Sequence, residues 1–285
     1  MTQNPHLDVV TQFYDTHPIS EQQVLKSLAQ DDVDLSSLDQ GTLQNYDQDH
    51  FGGPAATDTL AHLANIGQSD HVIDVCCGLG GPARYLAYHY GCRVTGIDLN
   101  WNRIDGAQRL TGRVGLEDQV SFQRANALDN KLPGNAFDAL IAQEAFCHIP
   151  DKPRLIAECA RIIRPGGGIT FTDILAGASM SESVRDRLQQ EMAFIELGTL
   201  DGYRTLLNSS DCIVKVIDDL TDSWAEILVK RLAMYRSLKD QTVASFGHLL
   251  IRLGSGRHAA AVVMIVRPSH STGAESGEVS GSKTC

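Results

Sequence analysis

The sequence predicts an α/β fold: a seven-stranded, mostly parallel sheet with helices on both faces. Two observations predict it. Short apolar runs of strand length alternate from Val72 onward with stretches of helical periodicity, the pattern of a parallel sheet. The first run leads into a Gly-rich turn, Cys76-Cys77-Gly78-Leu79-Gly80-Gly81-Pro82, that opens a helix. The runs are Val72 to Cys76, Arg93 to Asp98, Val120 to Arg124, Ala139 to Gln143 and Ile169 to Asp173, followed later by Cys212 to Asp218 and Ala259 to Val266.

Upstream of the sheet, Leu7 to Tyr14 and Ser20 to Ala29 have helical spacing, the second opened by Ser20 with Gln23 three places on, a capping-box pattern. An Asp/Ser-rich connector then leads past Tyr46 and His50 to an amphipathic helix, Ala55 to Ile66. Between the strands, helices are expected at Ala83 to Tyr90 and Pro153 to Ile163, the latter stopped by Arg164-Pro165-Gly166-Gly167-Gly168. After Asp173 the alternation breaks for helical stretches at about Ser181 to Leu197 and Gly202 to Leu207, read as an inserted lid at about 176–210, and a long helix follows from Ser223 to about Leu238. The domain reading is an N-terminal helical cap at 1–54, an α/β domain at 55–268 and a Ser/Gly-rich flexible tail at 269–285.

Composition narrows the function classes. The 285-residue chain can bury a full core, and 42% hydrophobic with 21% charged residues is the make-up of a folded protein. Its net charge of -11 repels polyphosphate backbones, which argues against nucleic acid as a partner. The sequence shows neither a membrane-length apolar run nor a secretory pattern at Met1 to His6, so a cytoplasmic chain with no membrane partner is expected. Seven irregularly spaced cysteines suit reduced thiols, and without a CxxC pair or an HExxH no metal site is expected.

The Gly-rich turn points to a nucleoside. Glycines let a ligand approach main-chain N–H groups, and Asp98, twenty residues past Gly78 at the end of the next strand, is placed to accept ribose hydroxyls. A dinucleotide fits Gly78-x-Gly80-x-x-Ala83 as well, and a ligand-free tight turn also favours glycine. Asp74, in the strand before the turn, separates these readings, since a pyrophosphate wants positive charge nearby whereas a zwitterionic sulfonium tolerates an acid.

The reach from Asp74 through Gly81 to Asp98 resembles the first two motifs of class I S-adenosylmethionine-dependent methyltransferases. The resemblance continues through Arg124-Ala125-Asn126-Ala127-Leu128, Phe137-Asp138-Ala139-Leu140, Ile162 to Gly167 and Thr172-Asp173. It implies a Rossmann-like sheet with an antiparallel final strand and S-adenosylmethionine as cofactor. By that resemblance Asp74, Gly78 and Gly80 line the methionine end, Asp98 and Leu99 hold ribose and adenine, Asn126 and Ala127 flank the adenine, and Gln143 completes the set. Two positions depart from the family pattern: Cys76 stands for the first glycine of the turn, and Asn126 for an acid.

For the methyl acceptor, Gln143-Glu144-Ala145-Phe146-Cys147-His148 follows the fourth strand at the ligand-binding edge of the sheet, which makes His148 the first candidate for a base; a packed, non-catalytic imidazole is the alternative. Gly52-Gly53-Pro54-Ala55-Ala56-Thr57 is similar to a segment of phosphobase and related small-amine methyltransferases, in which a His at the place of His148 works with an N-terminal Tyr, and sarcosine/dimethylglycine methyltransferases are similar over Gly80-Gly81-Pro82-Ala83-Arg84. Tyr46 and His50 are accordingly catalytic candidates, with Tyr14 also available upstream. Met180, Met192, Phe194 and Met234 are candidates for an apolar acceptor pocket, Glu144, Asp173 and Glu191 for attracting a cation, and Arg187 and Arg204 for clamping a carboxylate. The expected reaction is methyl transfer to a small-molecule amine. The rivals are S-methylation of a small thiol, a nicotinamide-dependent dehydrogenase, and a non-catalytic cofactor-binding protein; a homo-oligomer is left open.

Overall fold

The computed structural model describes residues 5–16, 20–177, 180–237 and 260–266. Three helices, α1 (Pro5–Thr16), α2 (Glu21–Gln30) and α3 (Gln40–Leu43), precede α4 (Gly53–Leu63). The parallel part of the sheet then alternates β1 (His71–Val75), α5 (Gly81–Tyr90), β2 (Arg93–Asp98), α6 (Trp101–Arg113), β3 (Val120–Arg124), β4 (Phe137–Gln143), α7 (Lys152–Ile162) and β5 (Ile163–Ile174). After it come α8 (Glu182–Met192), α9 (Leu200–Ser209), β6 (Ile213–Asp219), α10 (Thr221–Ser237) and β7 (Ala260–Val266).

The strand order is β3-β2-β1-β4-β5-β7-β6. Strands β1 to β5 are parallel, and β7 lies antiparallel to both β5 and β6. Because neighbouring side chains on a strand point to opposite faces, β1 sends Val72 to one core and Ile73 and Val75 to the other. The first core is closed by Leu60 and Ala61 of α4, Leu86 of α5 and Ile104 of α6, and the second by Leu155 and Ile156 of α7 and Tyr203 and Leu207 of α9. A strand buried on both faces reads as a continuous apolar run, as Ala139 to Ala142 of the central strand β4 do.

Caps set the helix starts. Ser20 Oγ accepts from Gln23 N at 3.2 Å, as its spacing predicts, and the side chains of Asn100, Asp151, Ser181 and Thr199 open α6, α7, α8 and α9 in the same way. The Pro-Gly run after α7 differs from expectation: it is no separate loop, because β5 starts at Ile163 directly after the helix. The register on β4 jumps between Phe137↔Ile163 and Ala139↔Gly168, so Arg164 to Gly167 bulge out of the ladder, with Gly166 at φ +79°. Helices α8 and α9 occupy the stretch expected as a lid. The 269–285 tail lies outside the described residues, as does the side chain of Met234. Among the described residues, no helix is long and apolar enough to cross a membrane.

Candidate active site

The strand ends of β1, β2 and β4 and the segment after β3 form one wall of a cavity, and α1, the 47–51 segment and the end of α8 form the other. The carboxyl edge of a parallel sheet is where ligands of such folds sit, because diverging connections leave a crevice there. Of the residues expected to hold a cofactor, Asp74, Gly78, Asp98, Leu99, Asn126, Ala127 and Gln143 all line this cavity.

Gly80 does not. It caps α5 at φ +75°, and a side chain there would strike the Phe122 ring, so it allows the turn to pack on β3. Gly78, at φ +53°, has nothing within 4 Å of where a side chain would be, so main chain faces open cavity there. Cys76 also lies in the left-handed region, at φ +63°, where a non-glycine residue carries about 1–2 kcal/mol of strain.

Two carboxylates dominate the nucleoside end. Asp98 accepts from Gly78 N at 3.0 Å and Asn100 N at 2.8 Å, so the turn and the start of α6 aim it, while burial raises its pKa. Asp74 is 3% exposed, and its Oδ2 has no hydrogen-bond partner among the described residues. Burial, reinforced by Asp98, pushes its pKa up to about 7. A buried, unsatisfied carboxylate oxygen facing a cavity calls for a donor or a cation from a ligand, and an α-ammonium supplies both. It repels a pyrophosphate, which weakens the dehydrogenase reading.

At the opposite end stands His148, which is 8% exposed and held on a 3₁₀ turn, Phe146–His148. Its Nδ1 is 3.0 Å from the carbonyl oxygen of Ala193, which can only accept, so Nδ1 carries the proton. Nε2 of the neutral ring is then an acceptor, and the Tyr14 hydroxyl donates to it at 2.9 Å. Burial raises the Tyr14 pKa well above its ordinary value, which keeps the phenol protonated. The turn itself is pinned by Asp173, which accepts from Cys147 N at 2.8 Å and from the Tyr203 hydroxyl at 2.7 Å. Asp173 thus supports the site from behind, with a pKa raised by burial to about 6.

The other two catalytic candidates part company. Tyr46 packs in the small core beneath α2 and donates its hydroxyl to Asp31 at 2.7 Å, away from the cavity, so the upstream tyrosine brought to His148 is Tyr14. His50 lines the cavity with both ring nitrogens engaged: Gln143 Nε2 donates to Nδ1, and Nε2 donates to Gln48 Oε1, each at 2.9 Å. Burial lowers its pKa to about 4, so it is a neutral ring fixed in a network. That network runs on through Gln48 to Asp47 and from Asp47 to Arg84, a pair at 2.8 Å with both side chains fully buried.

Met192 and Phe194 line the cavity, whereas Met180 packs beside it under the lid. Glu191 pairs with Arg187 on the surface. Glu144, held by Phe51 N and the Thr172 hydroxyl, faces the cavity with its pKa raised by burial to about 8. The cavity face of α1 was missed, although Leu7, Val10, Thr11 and Tyr14 form an i, i+3, i+4, i+7 stripe in the sequence.

The site is thus a cavity at the carboxyl edge of a Rossmann-like sheet, with the carboxylates of Asp74 and Asp98 at one end and a helix above it that carries a tyrosine to a histidine. Residues 73–171 match the model of the methyltransferase domain family. The chain is 29% identical over 197 residues to a phosphoethanolamine N-methyltransferase of Triticum aestivum, an alignment covering 69% of this chain and 38% of the relative. It is 30% identical over 142 residues to a sarcosine/dimethylglycine N-methyltransferase of Halorhodospira halochloris, covering 50% and 51%. The chain therefore spans about half or less of the length of these relatives. In fold it matches Haemonchus contortus phosphoethanolamine N-methyltransferase 2, solved with phosphomonomethylethanolamine and S-adenosylhomocysteine, at a TM-score of 0.73 and 17% identity, over 91% of this chain and 60% of that one.

Proposed function

We propose that the chain transfers a methyl group from S-adenosylmethionine to the nitrogen of a small-molecule amine. The observation that carries this reading is the Tyr14–His148 pair, with its tautomer set by the Ala193 carbonyl, in the same cavity as Asp74 and Asp98. Asp98 is the residue to hold the ribose and Asp74 the α-ammonium, with Asn126 and Ala127 beside the adenine. Cys76 and Gly78 supply the tight turn between them.

When bound, S-adenosylmethionine supplies a methyl group on a positively charged sulfur, open to in-line attack by a lone pair. An amine that arrives protonated has no such pair, so the site must first take a proton. Tyr14 is placed to hand its hydroxyl proton to His148 Nε2 while accepting one from the amine nitrogen, and the imidazolium so formed stays hydrogen-bonded to the Ala193 carbonyl. The amine nitrogen, left with its lone pair, is then the nucleophile that takes up the methyl group supplied by the donor. The apolar side chains of Phe13, Met192 and Phe194 keep the space around it dry. The carboxylate of Asp49 on the cavity favours a cationic acceptor over an anionic one, and Glu144 beside it, which burial keeps protonated at neutral pH, ionises more readily against such a cation.

A screen of amines, thiols and carboxylates with labelled donor tests the reading, together with His148→Ala. Amines should be the labelled class. The variant should turn over about 100-fold more slowly at saturating donor, the ordinary scale for losing a general base, with S-adenosylhomocysteine affinity within about threefold. Label on thiols alone, or wild-type turnover by the variant, would sink the amine reading.

A further inference from the structure

Helix α1 touches both walls of the cavity, and the shortest side-chain bonds that hold it to the β2–α6 side are made by one residue. Asp15 Oδ1 accepts from Asn100 Nδ2 at 2.9 Å and from Asn102 Nδ2 at 2.8 Å, across 85 and 87 residues of chain. Asn100 is itself a busy residue: its backbone N–H donates to Asp98, its Oδ1 caps α6 by accepting from Arg103 N, and Nδ2 lies 3.4 Å from the Thr11 carbonyl. Arg103 adds a second tie, donating from Nη2 to the Tyr14 carbonyl at 3.4 Å with its guanidinium 5.2 Å from the centre of the Tyr14 ring.

The next residue toward the N-terminus from Asp15 is Tyr14, which crosses the cavity to His148. Leu7, Val10 and Phe13 of the same helix face the cavity between the two ends. A nucleoside seated on Asp98 therefore lies under α1, and the group that fastens α1 bonds to the residue two places after Asp98. Asp15 is exposed, and nothing in the core depends on it; the two amide donors hold its carboxyl below the usual range, so it is ionised throughout the neutral pH range.

We propose that Asp15 is a positioning residue that latches α1 over the methyl-donor site, traps the nucleoside beneath the helix, and in the same act sets Tyr14 against His148. Donor then enters, and its demethylated product leaves, only when the Asp15 bonds to Asn100 and Asn102 open. The part of this that concerns Tyr14 rests on the amine-methylation reading above; the trapping of the nucleoside does not.

The test is the release rate of labelled S-adenosylhomocysteine from the full chain, chased with excess unlabelled compound, in wild type, Asp15→Ala and Asp15→Asn. Loss of two hydrogen bonds to a charged group should speed release about tenfold or more in Asp15→Ala. Its melting temperature should stay within about 2 °C, as expected for an exposed side chain. Asp15→Asn keeps an oxygen able to accept from both amides and should restore release to within about threefold of wild type. Wild-type release from Asp15→Ala, or Asp15→Asn releasing as fast as Asp15→Ala, would overturn the latch.

With the best amine from the screen, Asp15→Ala should lower kcat while leaving the amine KM within about threefold, the split expected when Tyr14 is misaligned but the acceptor pocket is intact. If no amine is methylated yet release follows the predicted order, the latch stands and the amine reading falls. If amines are methylated and release is the same in all three proteins, the latch alone falls.

Discussion

The two walls of the cavity are built in opposite ways. The nucleoside wall comes from a short stretch of chain, Asp74 to Gln143, whose strand ends are brought side by side by a parallel sheet. The wall proposed for the acceptor is assembled from Tyr14, His50, His148, Phe194 and Arg231, carried on separate elements from one end of the described chain to the other. In the first, the fold itself delivers the site, because consecutive strands of such a sheet must end on one edge. In the second, individual hydrogen bonds and packed rings decide which side chains meet.

The joint between the walls is the Asp47–Arg84 pair. Arg84 also donates to the carbonyls of Leu79 and Ala107 and to the Thr111 hydroxyl, so one guanidinium fastens the 47–50 segment to the Gly-rich turn and to α6. Gly81 has no side chain for the same reason, since one would collide with the Asp47 carbonyl. Removing Arg84 should give the largest effect of the substitutions considered. Arg84→Met leaves a carboxylate buried without its partner, a change that costs about 3–5 kcal/mol and should lower the melting temperature by about 10 °C. The double variant Asp47→Asn, Arg84→Met should recover part of that loss, and a double variant no more stable than Arg84→Met would show that the two residues act separately.

A smaller effect separates the walls by charge. Asp74, raised to about 7, holds a proton in the folded protein that the unfolded chain gives up near pH 4. The stability it contributes is therefore full below about pH 4 and is lost as pH rises through 7. Binding of an α-ammonium needs the ionised form and should run the other way. From pH 6 to pH 8 the ionised fraction of a group titrating near 7 rises about tenfold, so S-adenosylhomocysteine affinity should rise by about the same factor. Calorimetry at the two pH values checks this, and Asp74→Asn should remove the pH dependence. An unchanged slope in that variant would take Asp74 out of the ammonium site.

Legibility in the sequence follows the same division. Strand runs such as Arg93 to Asp98 and Val120 to Arg124 could be read residue for residue, because buried apolar residues at alternate positions, Val120 and Phe122 in β3, and the pair Val94 and Ile97 in β2, mark them despite the polar residues between. Asp98 was legible because its distance from the Gly-rich turn reflects the length of one helix and one strand. Gly80 lies outside the cavity lining, and since glycine serves a ligand and a packed ring equally well, only the position of Phe122, in another strand, shows what its missing side chain makes room for. Ala193 could not be found at all: its part in fixing the His148 tautomer is a backbone carbonyl at a helix end, at φ +51°, and its side chain carries no mark of it. Tyr14 left a trace in the polar-apolar stripe of α1, but nothing local says which face of that helix meets His148.

Tyr46 is the sharpest case, since proximity to the Gly52-Gly53 segment in sequence made it a catalytic candidate and the fold turns it away. Its ring covers Val24, Leu28 and Leu43 in the small core under α2, and its hydroxyl bonds to Asp31, raising its pKa. Tyr46→Phe keeps the ring and deletes only that surface-facing hydrogen bond. The melting temperature should fall by about 1–3 °C, and turnover with the best amine should stay within about twofold. Tyr14→Phe, the same chemical change at the residue that reaches His148, should cost turnover far more and leave the melting temperature nearly where it was. A Tyr46→Phe variant that loses turnover as Tyr14→Phe does would mean that the acceptor wall extends past the cavity to the α2 side, and that the two walls are less separate than their construction implies.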